Sequence, residues 1–338
     1  MKIVACLIAL IVGNSFAIAQ AKPVPAPNSV EPPRILPVTS TLVLQVPQFV
    51  GIGKTLCDNS GNMFFNVEFR IGQMGPFLGI TADGRSHIIY SLPSGIKNWG
   101  NVKGVVSPGG QFSILYSNYK TAPMHRLIHY EVDGTVGRVT PLEIPDNASV
   151  QNIAIEDSGV TYVRGLVYTK EKSGKVQLGY AALLSDSGKL IRNLSFDAAG
   201  VDPEPREHSL PEGDAAAGID GRFYILEPTK VIVLNQSGDI ERILKYDKPD
   251  HSAFAARIDV SEGLVSIELD TAKPFPNEAD RVYGRMLLLN AQTGELREDA
   301  VFDPEGSGMV CFRGEDGYSV YGFPTAAKMT TLDMVSLH

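Results

Sequence analysis

Turn-forming glycines recur along this chain at a spacing that leaves room for little except short, hairpin-linked strands. Gly61, Gly109, Gly159, Gly221, Gly263 and Gly317 form one series, and Gly84, Gly134, Gly188, Gly238 and Gly294 form a second, interleaved one. Within each series the step is 42 to 62 residues, close to the length of one four-stranded unit in a radial repeat. A glycine supplies the positive φ that a tight hairpin demands, so these positions mark strand reversals. Short β-rich apolar runs lie between them, and long helical periodicity is absent.

The clearest unit runs from Ala215 to Tyr246. Strands are expected at Ala215 to Ile219, Phe223 to Leu226, Val231 to Leu234 and Ile240 to Tyr246, with turns at Asp220-Gly221, Pro228-Thr229 and Gln236-Ser237-Gly238. The run Phe223-Tyr224-Ile225, followed by Val231-Ile232-Val233-Leu234-Asn235 and Gly238-Asp239-Ile240, resembles the NHL-like and TolB-like six-bladed β-propeller repeats. Asp186-Ser187-Gly188-Lys189-Leu190 and Asn290-Ala291-Gln292-Thr293-Gly294-Glu295-Leu296 repeat its closing half. The resemblance covers residues 40 to 338 as a rhythm, and only this one unit closely. It implies an all-β, six-bladed propeller and is nearly silent on activity.

Six turns of the first series against five of the second leave the last blade one strand short. The alternating segment Thr41 to Val46 precedes the first blade and is expected to supply the outer strand of the last, closing the ring. A seven-bladed ring with one degenerate blade and a pair of β-sandwiches are the competing architectures. Closure would make neighbours of Cys57, in the first strand of blade one, and Cys311, in the first strand of blade six. In an oxidising space a disulfide between them is one expectation. Two buried thiols are the other, and the four- and six-residue distances to the turn glycines favour the thiols because they point both side chains to one sheet face.

The chain begins Met1-Lys2, continues with an apolar run from Ile3 to Val12 and reaches Ala17-Ile18-Ala19-Gln20-Ala21. These are the three parts of a secretory signal peptide, and the run is about half the length a membrane-spanning helix needs. Cys6 lies at the start of that run, not at a lipid-attachment position. Residues 22 to 38 follow with six prolines and read as an extended linker. The expected organisation is a signal peptide over 1 to 21, a linker over 22 to 38 and a propeller over 39 to 338, in a secreted or periplasmic protein without a membrane span. The formal charge of −8 and the dispersed Lys and Arg argue against nucleic acid and anionic membranes as partners.

No Gly-x-Ser-x-Gly elbow, His-Glu-x-x-His, Walker loop, EF-hand or Cys-x-x-Cys occurs in the sequence. Asp58-Asn59-Ser60-Gly61-Asn62 and Asp157-Ser158-Gly159 look like calcium loops only superficially, lacking the later bidentate Glu, and are read as hairpin turns. His125 and His129 have i, i+4 spacing, but the surrounding Leu127 to Val132 reads as strand, so no metal site and no cofactor is expected. Three Asn-x-Ser sequons, at Asn147, Asn193 and Asn235, are at chance frequency.

Both hairpin series turn on one face of the ring, so all other connections emerge on the opposite face. Those connections carry Trp99, Tyr119, His125, Arg206, His208, His251 and Arg281, the expected ligand contacts, although solvated loop residues are the plainer account of each. A binding module for a polar small molecule, a peptide or another exported protein is the function this favours. The alternative is a metal-dependent propeller hydrolase similar to the lactonase and gluconolactonase group, whose acidic and amide ligands have no matching motif here.

Overall fold

The computed structural model describes residues 34–36, 40–43 and 51–336, the latter without 71–72, 95, 97–101, 119, 121, 172–173, 196–212, 248–253, 262, 272–282, 303–307, 313–317 and 323–330. The signal-peptide segment therefore lies outside the described residues. The strands are, in chain order, β1 (Arg34–Leu36), β2 (Ser40–Val43), β3 (Gly51–Cys57), β4 (Met63–Arg70), β5 (Gln73–Ile80) and β6 (His87–Tyr90). They continue with β7 (Val102–Val106), β8 (Phe112–Ser117), β9 (His125–Tyr130), β10 (Val136–Pro141), β11 (Ala148–Ile155), β12 (Thr161–Glu171), β13 (Gly174–Leu184) and β14 (Leu190–Asn193). The chain closes with β15 (Ala215–Ala217), β16 (Phe223–Glu227), β17 (Lys230–Leu234), β18 (Ile240–Lys245), β19 (Phe254–Ser261), β20 (Leu264–Thr271), β21 (Tyr283–Asn290), β22 (Leu296–Phe302), β23 (Gly308–Phe312), β24 (Tyr318–Gly322) and β25 (Thr331–Ser336).

These strands build a β-propeller. The sheets β3–β6, β7–β10, β11–β14 and β15–β18 are sequential four-stranded meanders, and a fourth strand, β2, completes the sheet of β23, β24 and β25. The first strands of successive sheets pack on one another around the axis: β3 on β7, β7 on β11, β11 on β15, β15 on β19, β19 on β23, and β23 back on β3. The expectation of a six-bladed ring is corrected to five four-stranded blades. Five sheets are four-stranded blades, whereas β19–β22 forms a five-stranded sheet because β1 adds to its outer edge. That addition is parallel, Ile35 opposite Val301, and it lies within the segment read from its prolines as linker. β2 pairs antiparallel with β25, Leu42 opposite Leu332, in the outer position expected for the Thr41 segment.

Strands of the inner sheets read as unbroken apolar runs because each sheet is covered on both faces. In β16, Phe223 and Ile225 pack with Tyr162 and Leu183 of the preceding blade, while Tyr224 and Leu226 pack with Val260 and Ile267 of the following one. All five residues of β16 are buried. Between the first two blades the filling is aromatic, with Phe64 stacked on Phe112 at 5.4 Å and Tyr90 tilted against Phe112 at 4.4 Å. Such ring pairs contribute about 0.5–1.5 kcal/mol each beyond the area they bury.

Glycine marks the reversals as expected, with φ between 70° and 85° at Gly61, Gly84, Gly134, Gly159, Gly188, Gly221, Gly238, Gly263 and Gly294. In the β7–β8 turn the left-handed residue is Gly110, not Gly109. Gly110 N–H closes that turn on Ser107 O, and Gly109 N–H instead reaches the next blade, donating to Asp157 Oδ1 at 2.7 Å. On this hairpin face an arginine four residues after the outer turn glycine crosses to the next blade three times. Arg138 pairs with Asp186, Arg192 donates to Asp239 Oδ1 and Ser237 O at 2.6 and 3.1 Å, and Arg242 donates to Ala291 O at 3.2 Å.

Candidate functional site

Because the first strand of every blade stands at an end of its sheet, the first strands together wall a channel along the propeller axis. Its cavity has room for about 40 Å³ of water-sized molecules. Much of its wall is small or aliphatic: Leu56, Val105, Val106, Ile153, and the Ala215-Ala216-Ala217 run that keeps the bore open. Its polar members are Asn59, Asp214, Arg257 and Asp259, and Cys57 lies among them.

Register irregularities decide which side chains reach this wall. In β11 the pairing slips between Val150 and Asn152, and in β19 it slips between Ala255 and Arg257. An extra residue at such a bulge bends the strand and re-aims the side chains after it. After the slip, Asn152 donates through Nδ2 to Gly213 O at 3.0 Å, tying blade three to the start of β15. Arg257 follows the second slip, and its Nη2 reaches across to Cys57 Sγ at 3.8 Å while Nη1 stands 3.9 Å from Glu268 Oε2. Cys57 is disulfide-bonded, which removes the buried-thiol expectation at that position.

A second buried polar group lies off the axis between blades three and four. Arg164 Nη1 donates to Glu227 Oε1 at 2.5 Å, with the two side chains 17% and 10% exposed. The wholly buried Tyr162 stands close enough to feel both charges. Its hydroxyl has no hydrogen-bond partner among the described residues, and burial raises its pKa far above the ordinary tyrosine value. Breaking such a pair by removing one partner costs about 3–5 kcal/mol because a charge is left buried.

Of the expected ligand contacts, Trp99, Tyr119, Arg206, His208, His251 and Arg281 lie outside the described residues. His125 is described, and the structure corrects its placement. It is the first residue of β9, fully buried, with Nδ1 2.9 Å from Ser117 Oγ. His129, one strand face further on, is likewise buried and has Nδ1 3.1 Å from Ser113 Oγ and Nε2 3.3 Å from Thr140 Oγ1. Arg138 Nη2 approaches the same Nε2 at 3.5 Å. A guanidinium only donates, so Nε2 accepts and Nδ1–H donates to Ser113. Burial lowers the pKa of both imidazoles, Arg138 adding to the effect at His129. The i, i+4 spacing thus serves two buried serine partners. Among the described residues, no three His, Cys, Asp or Glu side chains are grouped as metal ligands.

Sequence reasoning missed Arg257, Asp214 and Asn59 as channel residues. Asn59 was read only as part of a turn, Asp214 precedes the short strand β15, and Arg257 follows the slip in β19 that no residue type announces.

The fold and its axial channel define a propeller protein of the kind used both for enzymes and for scaffolds. No protein-family model matches the chain, and no curated protein is similar to it. Among solved structures, a luciferin-regenerating enzyme is similar at a TM-score of 0.50 and 10% identity, over 88% of this chain and 95% of that one. A proposed gluconolactonase has a TM-score of 0.48 at 14% identity, over 87% and 94%. The Pan2 WD40 domain of Neurospora crassa has 0.47 at 8%, over 89% and 97%. At 10% identity the first of these shows a shared fold alone.

Proposed function

We propose that this chain is an exported binding module that presents the mouth of its axial channel, and the connections around it, to a polar ligand. The observation that carries this reading is the cavity itself, walled by the first strands of five successive sheets and combining a guanidinium, two carboxylates and an amide. In this reading Trp99, Tyr119, Arg206, His208, His251 and Arg281, on the long connections of the sequence, are the proposed contacts. In this reading the five-stranded sheet counts as a sixth, NHL-like blade with β1 added to its rim. The disulfide at Cys57 fits a secreted or periplasmic location. Cys311, in β23 packed against β3, is its partner, which fastens the last blade to the first. Among the described residues no helix is long and apolar enough to cross a membrane.

The test is substitution of Arg206, His208, His251 and Arg281 by Ala, against Asp83, Arg85 and Asp133 on the hairpin turns as a control set. Native mass spectrometry and melting curves are read on both. Loss of a copurifying ligand in the first set alone, at unchanged melting temperature, supports the reading, whereas loss in the control set alone means that the wrong face has been chosen. One stoichiometric divalent ion per purified chain would replace the binding module by the metal-dependent hydrolase.

A further inference from the structure

Among the described residues of the cavity wall, Cys57 carries a bond that can be exchanged. It is disulfide-bonded and half-buried, and Arg257 Nη2 donates to its Sγ at 3.8 Å from 200 residues further along the chain. The other terminal nitrogen of that guanidinium, Nη1, stands 3.9 Å from Glu268 Oε2, and the two side chains of this ion pair are 13% and 12% exposed. A charge so placed is screened little by salt. The neighbouring Asp58 is held within its own turn, its carboxylate accepting from Ser60 N–H, Asn62 N–H and Asn62 Nδ2 at 2.8 to 2.9 Å. Asp259, also in the wall, accepts from Val260 N–H at 3.0 Å.

A sulfur leaves a disulfide as the thiolate, and it leaves faster the less tightly that thiolate holds a proton. A cation hydrogen-bonded to the sulfur loosens that hold. The guanidinium therefore makes Cys57 the leaving sulfur and its partner the one attacked. We propose that the disulfide of Cys57 and Cys311 is an exchange site for small-molecule thiols, with Arg257 fixing the direction of attack. A thiolate RS⁻ forms a bond to Cys311 Sγ as the bond between Cys311 and Cys57 breaks, and the electron pair of that bond leaves on Cys57 Sγ beside the guanidinium. A second RS⁻ then attacks the R-side sulfur of the mixed disulfide, releasing RSSR and the Cys311 thiolate. The protein disulfide gains two electrons and two thiols are oxidised. Exchange cuts the covalent tie between β23 and β3, which pack on one another, while β2 still pairs with β25. Ring closure thus answers to the thiols around it, whether or not the cavity binds a ligand.

The experiment treats the folded, oxidised protein with mercaptoethanol, quenches with acid at intervals and maps the mixed disulfide by mass spectrometry. The adduct is expected on Cys311, with Cys57 left as a free thiol. An adduct mainly on Cys57, or none until the chain unfolds, would overturn the proposal. Arg257→Met should slow the exchange about threefold or more, because the leaving thiolate loses its cation. Glu268→Gln leaves the guanidinium wholly to the sulfur and should quicken the exchange about twofold or more. Both variants break the same ion pair, so a merely structural role would loosen the site and speed the exchange in each. Rates that move in the same direction in the two variants, or in neither, would overturn the proposal. The position of the adduct in the unsubstituted protein decides the matter if a variant fails to fold.

Discussion

Reducing the disulfide at Cys57 is the perturbation whose size can be worked most directly from the fold. With Cys311 as partner the bond closes a loop of about 250 residues, and the chain-entropy account gives such a loop about 5 kcal/mol of stabilisation. A change of 1 kcal/mol moves the melting temperature of a domain of roughly this size by about 2 °C, so reduction should lower it by about 10 °C. The protein should nevertheless stay folded at room temperature, because β2 still pairs with β25 through four residue positions and holds the last sheet to the N-terminal segment. Calorimetric melts with and without a phosphine reductant, and of Cys57→Ser, read the effect. Amide exchange should quicken first in β23 to β25, the sheet that loses its covalent tie to β3. Two free thiols titrated in denaturant from oxidised protein, or a shift of less than about 2 °C, would refute both the pairing and the entropy argument.

Two further outcomes are expected. His125 and His129 are buried neutral, with folded pKa values below the ordinary 6.5, so the unfolded chain takes up their protons first. Their contribution to stability is complete above about pH 6.5 and is lost as pH falls, each by up to about 1.4 kcal/mol per pH unit. Glu156 and Asp58, whose pKa values are raised by burial, act in the opposite sense nearer the carboxylate range. Denaturant midpoints that stay flat or rise from pH 7 to pH 5.5 would contradict this. Deleting residues 1–38 removes β1 and uncovers only the edge of β22, which should cost a few degrees. Deleting through Val46 also removes β2, uncovers β25 and should cause aggregation, and equal melting temperatures of the two truncated chains would rule out the closure.

The blade rhythm was legible because one requirement, positive φ at a hairpin, falls on one residue type. Nine of the turn glycines read from the sequence carry it at the expected positions. Gly109 misled because Pro108-Gly109-Gly110 offers two glycines, and only the hydrogen bond from Gly110 to Ser107 selects between them. The inter-blade arginines were within reach of the sequence, since Arg138, Arg192 and Arg242 each follow a turn glycine by four residues. The other two units place Ile88 and Glu298 there, which breaks the pattern. β1 was out of reach. Three residues between prolines carry no strand signal of their own, and the parallel pairing with β22 is supplied by the edge they meet.

The axial site was illegible for a different reason. In a strand covered on both faces, side-chain type no longer reports direction, so a polar residue is the remaining clue to where the strand faces water. Asp214, Asn152 and Arg257 are such clues, but slips of register at Val150/Asn152 and Ala255/Arg257 break the alternation of the strand just before two of the three. Alternation counted back from Gly159 or Gly263 therefore holds as far as Asn152 and Arg257 and fails beyond them, at Val150 and Ala255. The loops drew attention instead because charge and aromatics are visible there without any register. A propeller concentrates this problem, since every first strand contributes to the same axis and an error in one strand changes which groups meet. Arg257 stands beside Cys57, with Asn59 two residues on, only because the ring brings β19 and β3 to one axis, which no count along either strand reveals.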